Sequence, residues 1–242
     1  KTEVLFRGWV NTWGHQFDDF GQEFLTDGAG FQGVSWGVPG ATYFTLAPKR
    51  RELASISAGN YPKFCGLEIV RSALFPADWQ GDIVTNDFRA HRVVRFKVRE
   101  QGAGFATSEM PDVLRTTSAS FRPLDVKLGP DGALYLADWA NPIIQHGEVD
   151  FRDPRRDKEH GRIWRITAKG RAPVKQPNLA AMKPPELLEQ LKSPERWTRY
   201  QAKRLLFDKP ASEVLKAADD FVAKLPNRSE EHTSELQSPM YL

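Results

Sequence analysis

The stretch Asn11–Asp27, NTWGHQFDDFGQEFLTD, superposes without gaps on Arg122–Asp138, RPLDVKLGPDGALYLAD, at a shift of 111 positions. Gly21 falls on Gly132 and Asp27 on Asp138. A third copy with a longer turn ends in QGDIVTND, which sets Gly81 on Gly132 and Asp87 on Asp138. It runs on into HRVVRFKV (His91–Val98), the counterpart of GRIWRITA (Gly161–Ala168), so that Arg92 and Arg95 recur as Arg162 and Arg165. Within each copy, short apolar runs flank turn residues, as in the Gly-Pro-Asp-Gly of Gly129–Gly132, which is the pattern of antiparallel strands.

The aspartates that close the copies lie 60 and 51 residues apart. Units of roughly 40–50 residues built from several short strands are the mark of β-propeller blades. The expected fold is therefore mainly β: a partial propeller of about three blades, at residues 1–60, 61–120 and 121–170. Closed propellers need about four to eight blades, so the chain reads as a fragment. After it, KGRAPVKQPNLAAMKPP reads as a linker over 171–184. PELLEQLK, SPERWTRYQAKRLLF and ASEVLKAADDFVAKL then predict three helices over 185–227, a short HEAT-like segment. Ser193 is the expected N-cap of the second, with Pro194 and Glu195 in its first turn. Leu215, Ala218, Val222 and Leu225 form the expected apolar stripe of the third.

Residues 228–242 begin RSEEHTSELQS, which looks like a sequencing adapter translated in frame, and His232 and the glutamates there are left out of any site. Without this tail, 34 Lys+Arg and 31 Asp+Glu become 33 and 28, a net charge of +5 instead of +3. The basic residues alternate with acids, as in DFRDPRRDKEH, whereas a nucleic-acid surface gathers them on one face. Nucleic acid is not an expected partner. The single Cys65 excludes an internal disulfide and a Cys-x-x-Cys site within these residues. No run of 18 apolar residues is present to span a membrane.

The third copy departs from the second by a 22-residue insertion between Asp138 and Gly161, Trp139–His160. Such an insertion runs over the surface, where sites concentrate; it is either a self-paired charged loop or a lid over the propeller mouth. Asn11 and Arg122 each open the first strand of a unit, so both can face one ligand at the mouth, or serve a turn and a neighbouring acid. His15 and His91 are the candidate bases, although His15 stands where Val126 stands in the third copy and is expected to pack. Asp27, Asp87 and Asp138 are expected to bond backbone amides at strand ends, and Trp36, Trp79, Trp139 and Trp164 to pack between strands. No phosphate loop, G-x-S-x-G or H-E-x-x-H occurs.

The segments WGHQFDDFGQEFLTDGAG, FCGLEIV, DWQGDIVTNDFRAHRVVRF, FRPLDVKLGPDGALYLADW, NPIIQHGEVDFRDPRRDKEHGRIWRITAKGR and LKSPERWTRYQAKRLL resemble the large membrane-bound dehydrogenase-type proteins of planctomycetes and verrucomicrobia. The resemblance covers about residues 4–225. It implies a quinoprotein glucose-dehydrogenase-like propeller, a HEAT-like segment and a c-type haem region beyond this stretch, in an extracytoplasmic, periplasmic or membrane-anchored protein. Pyrroloquinoline-quinone sugar dehydrogenases are a more distant likeness. Their Arg-Asn-Pro-x-Gly motif is similar to NTWGH, which implies Asn11 as a quinone contact, with Val10 where the motif has arginine. Their calcium turn falls on the backbone carbonyls of Gly28 and Ala29. Their cofactor-contacting basic residues fall on Arg89 and Arg122, while Leu124 replaces a further arginine. Their catalytic histidine falls in an earlier blade. The resemblance thus implies a sugar or alcohol substrate, pyrroloquinoline quinone with calcium, and an electron acceptor. The alternative is a non-catalytic propeller that binds carbohydrate or protein.

Overall fold

The computed structural model describes residues 2–29, 33–43, 53–57, 59, 61, 63–144 and 149–225. The tail read as an adapter, 228–242, lies outside them. Three antiparallel sheets follow one another along the chain. The first orders β1 (Thr12–Phe17), β2 (Glu23–Asp27) and β3 (Val34–Gly37); the third orders β9 (Pro123–Leu128), β10 (Leu134–Asp138) and β11 (Arg162–Ile166). The second holds β4 (Phe64–Ile69), β5 (Ile83–Asp87), β6 (Arg92–Gln101) and β7 (Gly104–Glu109), with β8 (Leu114–Arg115) also pairing β6. They are successive blades of a partial β-propeller, and the repeat is visible atom by atom. Asp27, Asp87 and Asp138 pair with Thr12, Phe64 and Pro123 at the start of each first strand, and a register shift follows in all three. Gly21, Gly81 and Gly132 all take φ near +80°, at 80°, 88° and 79°. Only glycine adopts such a turn without strain, which is why the residue recurs.

Burial follows from alternation along these strands. Phe24 and Val34 of the first sheet pack on Phe64, Leu67, Ile69, Ile83, Val94 and Phe96 of the second. On its other side, Val70, Val84 and Val93 pack on Val126, Leu128, Leu134 and Leu136 of the third. The first strands β1, β4 and β9 stand side by side as the innermost layer. They meet where side chains are smallest: a Cβ on Gly14 would lie 2.6 Å from the Gly66 backbone, and one on Gly66 would lie 2.8 Å from Asp125 Cα. Gly14, Gly66 and Asp125 hold the same register in their sheets.

Residues 171–184 run along the third sheet. The Val174 amide bonds the Asp131 carbonyl, and Arg171 donates to the carbonyls of Ala73 and Phe75. The helices α1 (Pro184–Gln190), α2 (Arg196–Phe207) and α3 (Ala211–Val222) follow. Two expectations are corrected here. Glu195, not Ser193, is the N-cap of α2, because the first helical bond runs from the Arg199 amide to the Glu195 carbonyl; Ser193 Oγ accepts the Glu195 amide just ahead of it. The buried face of α3 is Ala217 and Phe221 against Leu188, while Leu215 is 64% exposed. Of the expected stripe, Ala218 and Leu225 do pack against this cluster, whereas Leu215 and Val222 are exposed. Among the described residues no helix is long and apolar enough to cross a membrane.

The start of α2 is seated on the innermost strands, at the end away from Asp27, Asp87 and Asp138. Gln16, Glu68 and Lys127 occupy one register position in the three first strands. The Arg196 guanidinium donates to Gln16 Oε1 at 2.9 Å and to the Phe17 carbonyl, and its Nε lies 3.3 Å from Glu68. Glu195 accepts the Ala73 amide, and Arg199 pairs with Asp19. Burial pushes the Glu68 carboxyl up, partly offset by Arg196 and by the Leu128 amide it accepts. Arg196→Ala is expected to cost about 2 kcal/mol by leaving this buried carboxylate short of a partner. Faster hydrogen exchange at the amides of Ala73 and Arg196, relative to those at the opposite end, is the measurement.

Candidate functional site

The three strand-end aspartates build the opposite end of the sheets. Asp27 accepts the amides of Val10, Asn11 and Ala29. Asp87 accepts the Ala90 amide and Arg92 Nε. Asp138, 3% exposed, accepts the amides of Arg122 and Ala140 together with Arg162 Nε and Trp164 Nε1. Their expected role as backbone caps is what the structure shows. Arg92 and Arg162, matched by the repeat, both spend Nε on the aspartate of their own sheet. Burial alone would raise the Asp138 carboxyl, but the Trp164 indole, the two amides and Arg162 outweigh it and hold it below the usual carboxylate range.

This anchoring gathers most of the residues singled out in the sequence. Asn11 is exposed, its amide on Asp27 and its carbonyl on the Gly28 amide. Gly28 is buried beneath Trp13, whose ring would lie 2.5 Å from a Cβ at that position. Ala29 is half-buried, with its amide turned to Asp27. Arg89 is exposed on the turn after β5. His91, on the same turn, bonds the Phe121 carbonyl through Nδ1 at 2.9 Å. Arg122 immediately precedes the first strand of the third sheet, so all six occupy one end of their sheets.

His15 does not join them. It lies along β1, its side chain 45% exposed, with Nε2 2.7 Å from Glu23. The expectation of a packed ring fails there for a simple reason. Val126 is covered because the second sheet lies against it, whereas the His15 face of β1 has no such neighbour among the described residues.

Arg122 is only 5% exposed, and its donors are taken up inside the protein. Nε reaches the Asn141 carbonyl at 3.0 Å, Nη2 the Pro142 carbonyl at 3.1 Å, and Nη1 the carbonyls of Phe88 and Arg89 and the His91 ring. The guanidinium therefore ties the turn after β5 to the turn after β10. Burial lowers its pKa, and Asp138 opposes that shift.

The charged insertion folds onto itself. Asp150, Asp153 and Asp157 each accept an amide two residues on. Asp153 also pairs with Arg155, and Asp157 with the His160 ring. Asn141 Nδ2 pins the insertion through the Asp157 carbonyl. This is the self-paired loop; residues 145–148 of it lie outside the described set. Of the four tryptophans expected to pack, Trp36 and Trp79 do, while Trp139 is 39% and Trp164 41% exposed.

Residues 40–170 match the model of a family described as a domain of unknown function, DUF7133. The chain belongs to the DUF7133 family. The matched segment takes in the second and third blades, the Asp87 and Asp138 turns and the charged insertion. No curated protein matches. Among solved structures, an inferred oxidoreductase (glucose dehydrogenase) of Thermus thermophilus is similar over 67% of this chain and 47% of that one, at 21% identity and a TM-score of 0.49. The soluble aldose sugar dehydrogenase of Escherichia coli, in its apo form, is similar over 56% of this chain and 44% of its own, at 21% identity and a TM-score of 0.42. This DUF7133 chain spans about half the length of these structures.

A planar, carboxylated quinone needs cationic and flat apolar partners. At this end Arg89 is an exposed guanidinium, and the Phe88 and Trp139 rings are stacked 6.2 Å apart at 10°. Those residues fit the group. Among the described residues no cluster of three or more His, Cys, Asp or Glu side chains is placed to hold a metal.

Proposed function

We propose that this chain is the partial propeller and helical part of a quinoprotein-type oxidoreductase acting on sugars or alcohols, extracytoplasmic, with a c-type haem region as electron acceptor. One observation carries the reading. Asn11, Gly28, Ala29, Arg89 and Arg122, spread over 112 positions of sequence, lie together at the aspartate-capped end of three neighbouring sheets. When bound, pyrroloquinoline quinone supplies the two-electron acceptor for the substrate carbinol. The chain's own residues position it. The Asn11 carboxamide offers a donor and an acceptor, and Arg89 offers a fork for a carboxylate. Gly28 and Ala29 offer carbonyls to a calcium ion. Arg122 acts from behind, fixing the two turns that carry Arg89 and Trp139.

Equilibrium dialysis of the chain with pyrroloquinoline quinone, with and without calcium, tests the reading. Saturable, calcium-enhanced binding is expected, weakened by Asn11→Ala and Arg89→Ala at unchanged melting temperature. Absence of saturable binding would remove the quinoprotein reading and leave a propeller that binds something else.

A further inference from the structure

The aspartate-capped end carries a feature that the repeated strand-end geometry does not require. The described residues hold three non-glycine positions at positive φ, Trp9, His91 and Ala140, each at 56°. All three are at this end: Trp9 just before the amides that bond Asp27, His91 on the turn after Asp87, and Ala140 two residues beyond Asp138. Each such conformation costs roughly 1–3 kcal/mol, and strain of this kind gathers where a protein holds a ligand.

What the strained turns present is aromatic. Phe88 and Trp139 are each the residue immediately after the capping aspartate of their sheets. Their backbones are fixed, with the Phe88 amide on the Lys63 carbonyl and the Trp139 amide on the Arg122 carbonyl. The two ring planes are nearly parallel, 10° apart, and the Arg122 guanidinium lies 5.9 Å from the Phe88 centroid. Trp139 is 39% exposed. The exposed Arg89 guanidinium follows Phe88 directly in the chain. A half-open pair of rings followed directly in the chain by an exposed arginine suits a flat, conjugated anion, which gains stacking on one face and an ion pair at its edge.

We propose that Phe88 and Trp139 form a stacking platform for a planar, conjugated, anionic ligand, with Arg89 as its counter-charge. The proposal rests on the quinone reading above and adds binding residues that the sequence resemblance does not supply. It also separates the roles of two arginines, since Arg89 faces the ligand while Arg122 stays behind the platform.

The probe is pyrroloquinoline quinone, titrated into the full chain with calcium and followed by equilibrium dialysis, a readout independent of tryptophan emission. Trp139→Ala is expected to weaken binding at least about tenfold, and Trp139→Phe by no more than about threefold, because a ring keeps the stacking face. Arg89→Ala is expected to weaken binding and to flatten its dependence on salt. Melting temperatures within a few degrees of wild type show that the variants remain folded, and Trp139→Leu, which removes the ring and is expected to weaken binding as alanine does, serves if the alanine variant does not fold. Wild-type affinity in Trp139→Ala overturns the platform while the quinone reading stands. No binding by the wild-type chain overturns both.

Discussion

Asp138→Ala is expected to lower stability by about 4 kcal/mol, since removing one member of a buried charged network strands its partners. The Asp138 carboxylate holds four donors at once: two amides, the Arg162 guanidinium and the Trp164 indole. Alanine leaves the Arg122 amide buried without an acceptor and removes the anchor shared by the Arg162 and Trp164 side chains of β11. Urea melts should show the loss as an earlier midpoint at similar slope. Asp138→Asn should recover part of it, because one amide oxygen still accepts but the charge assistance to Arg162 is gone.

The same residue gives a signed pH dependence. Its folded-state pKa is depressed below the ordinary value of 3.8. Its contribution is therefore present above that value and is lost as pH falls through the folded pKa. The difference in stability between wild type and Asp138→Asn should be constant from about pH 7 to about pH 5 and shrink below about pH 4. Comparing the two proteins removes groups that run the other way, such as Asp82, which burial pushes up to about 6 despite its ion pair with Arg95. A difference that stays flat down to about pH 3 would show that the carboxylate is not the ionised acceptor described.

How far the sequence reveals this architecture depends on which contacts are local to a repeat. The turn glycines and capping aspartates are legible because each satisfies a demand inside its own sheet: positive φ at Gly21, Gly81 and Gly132, and unpaired amides beside Asp27, Asp87 and Asp138. The same reasoning misplaces His15, because register gives a position in a strand but not the sheet that covers it. Leu215 fails likewise, since helical spacing defines a stripe without saying which stripe has a neighbour. Glu68 and Arg196 lie 128 positions apart and their pairing has no local signature. Trp139 reads as a packing residue because its repeat mates, Gly28 and Phe88, give no hint that the third copy leaves a ring half open.

Arg122→Ala should cost about 3 kcal/mol, the range expected when several buried acceptors lose a charged donor together. The carbonyls of Asn141, Pro142 and Phe88 all face the guanidinium, which links two turns of different sheets. Arg122→Lys should recover a minor share, since a single ammonium cannot span acceptors on both turns. The contrast with Arg89 is the informative part. Arg89 is exposed, so its removal should leave the melting temperature unchanged while quinone binding weakens. Removal of Arg122 should lower the melting temperature first, by roughly 10 °C for a chain of this size. Binding should then fall only in proportion to the disorder of the 88–91 and 139–142 turns. Measuring both quantities in both variants assigns the roles. If Arg122→Ala melts like wild type yet loses the quinone, the buried guanidinium must reorient to meet the ligand, and Arg122 becomes a direct contact instead of the brace its hydrogen bonds describe.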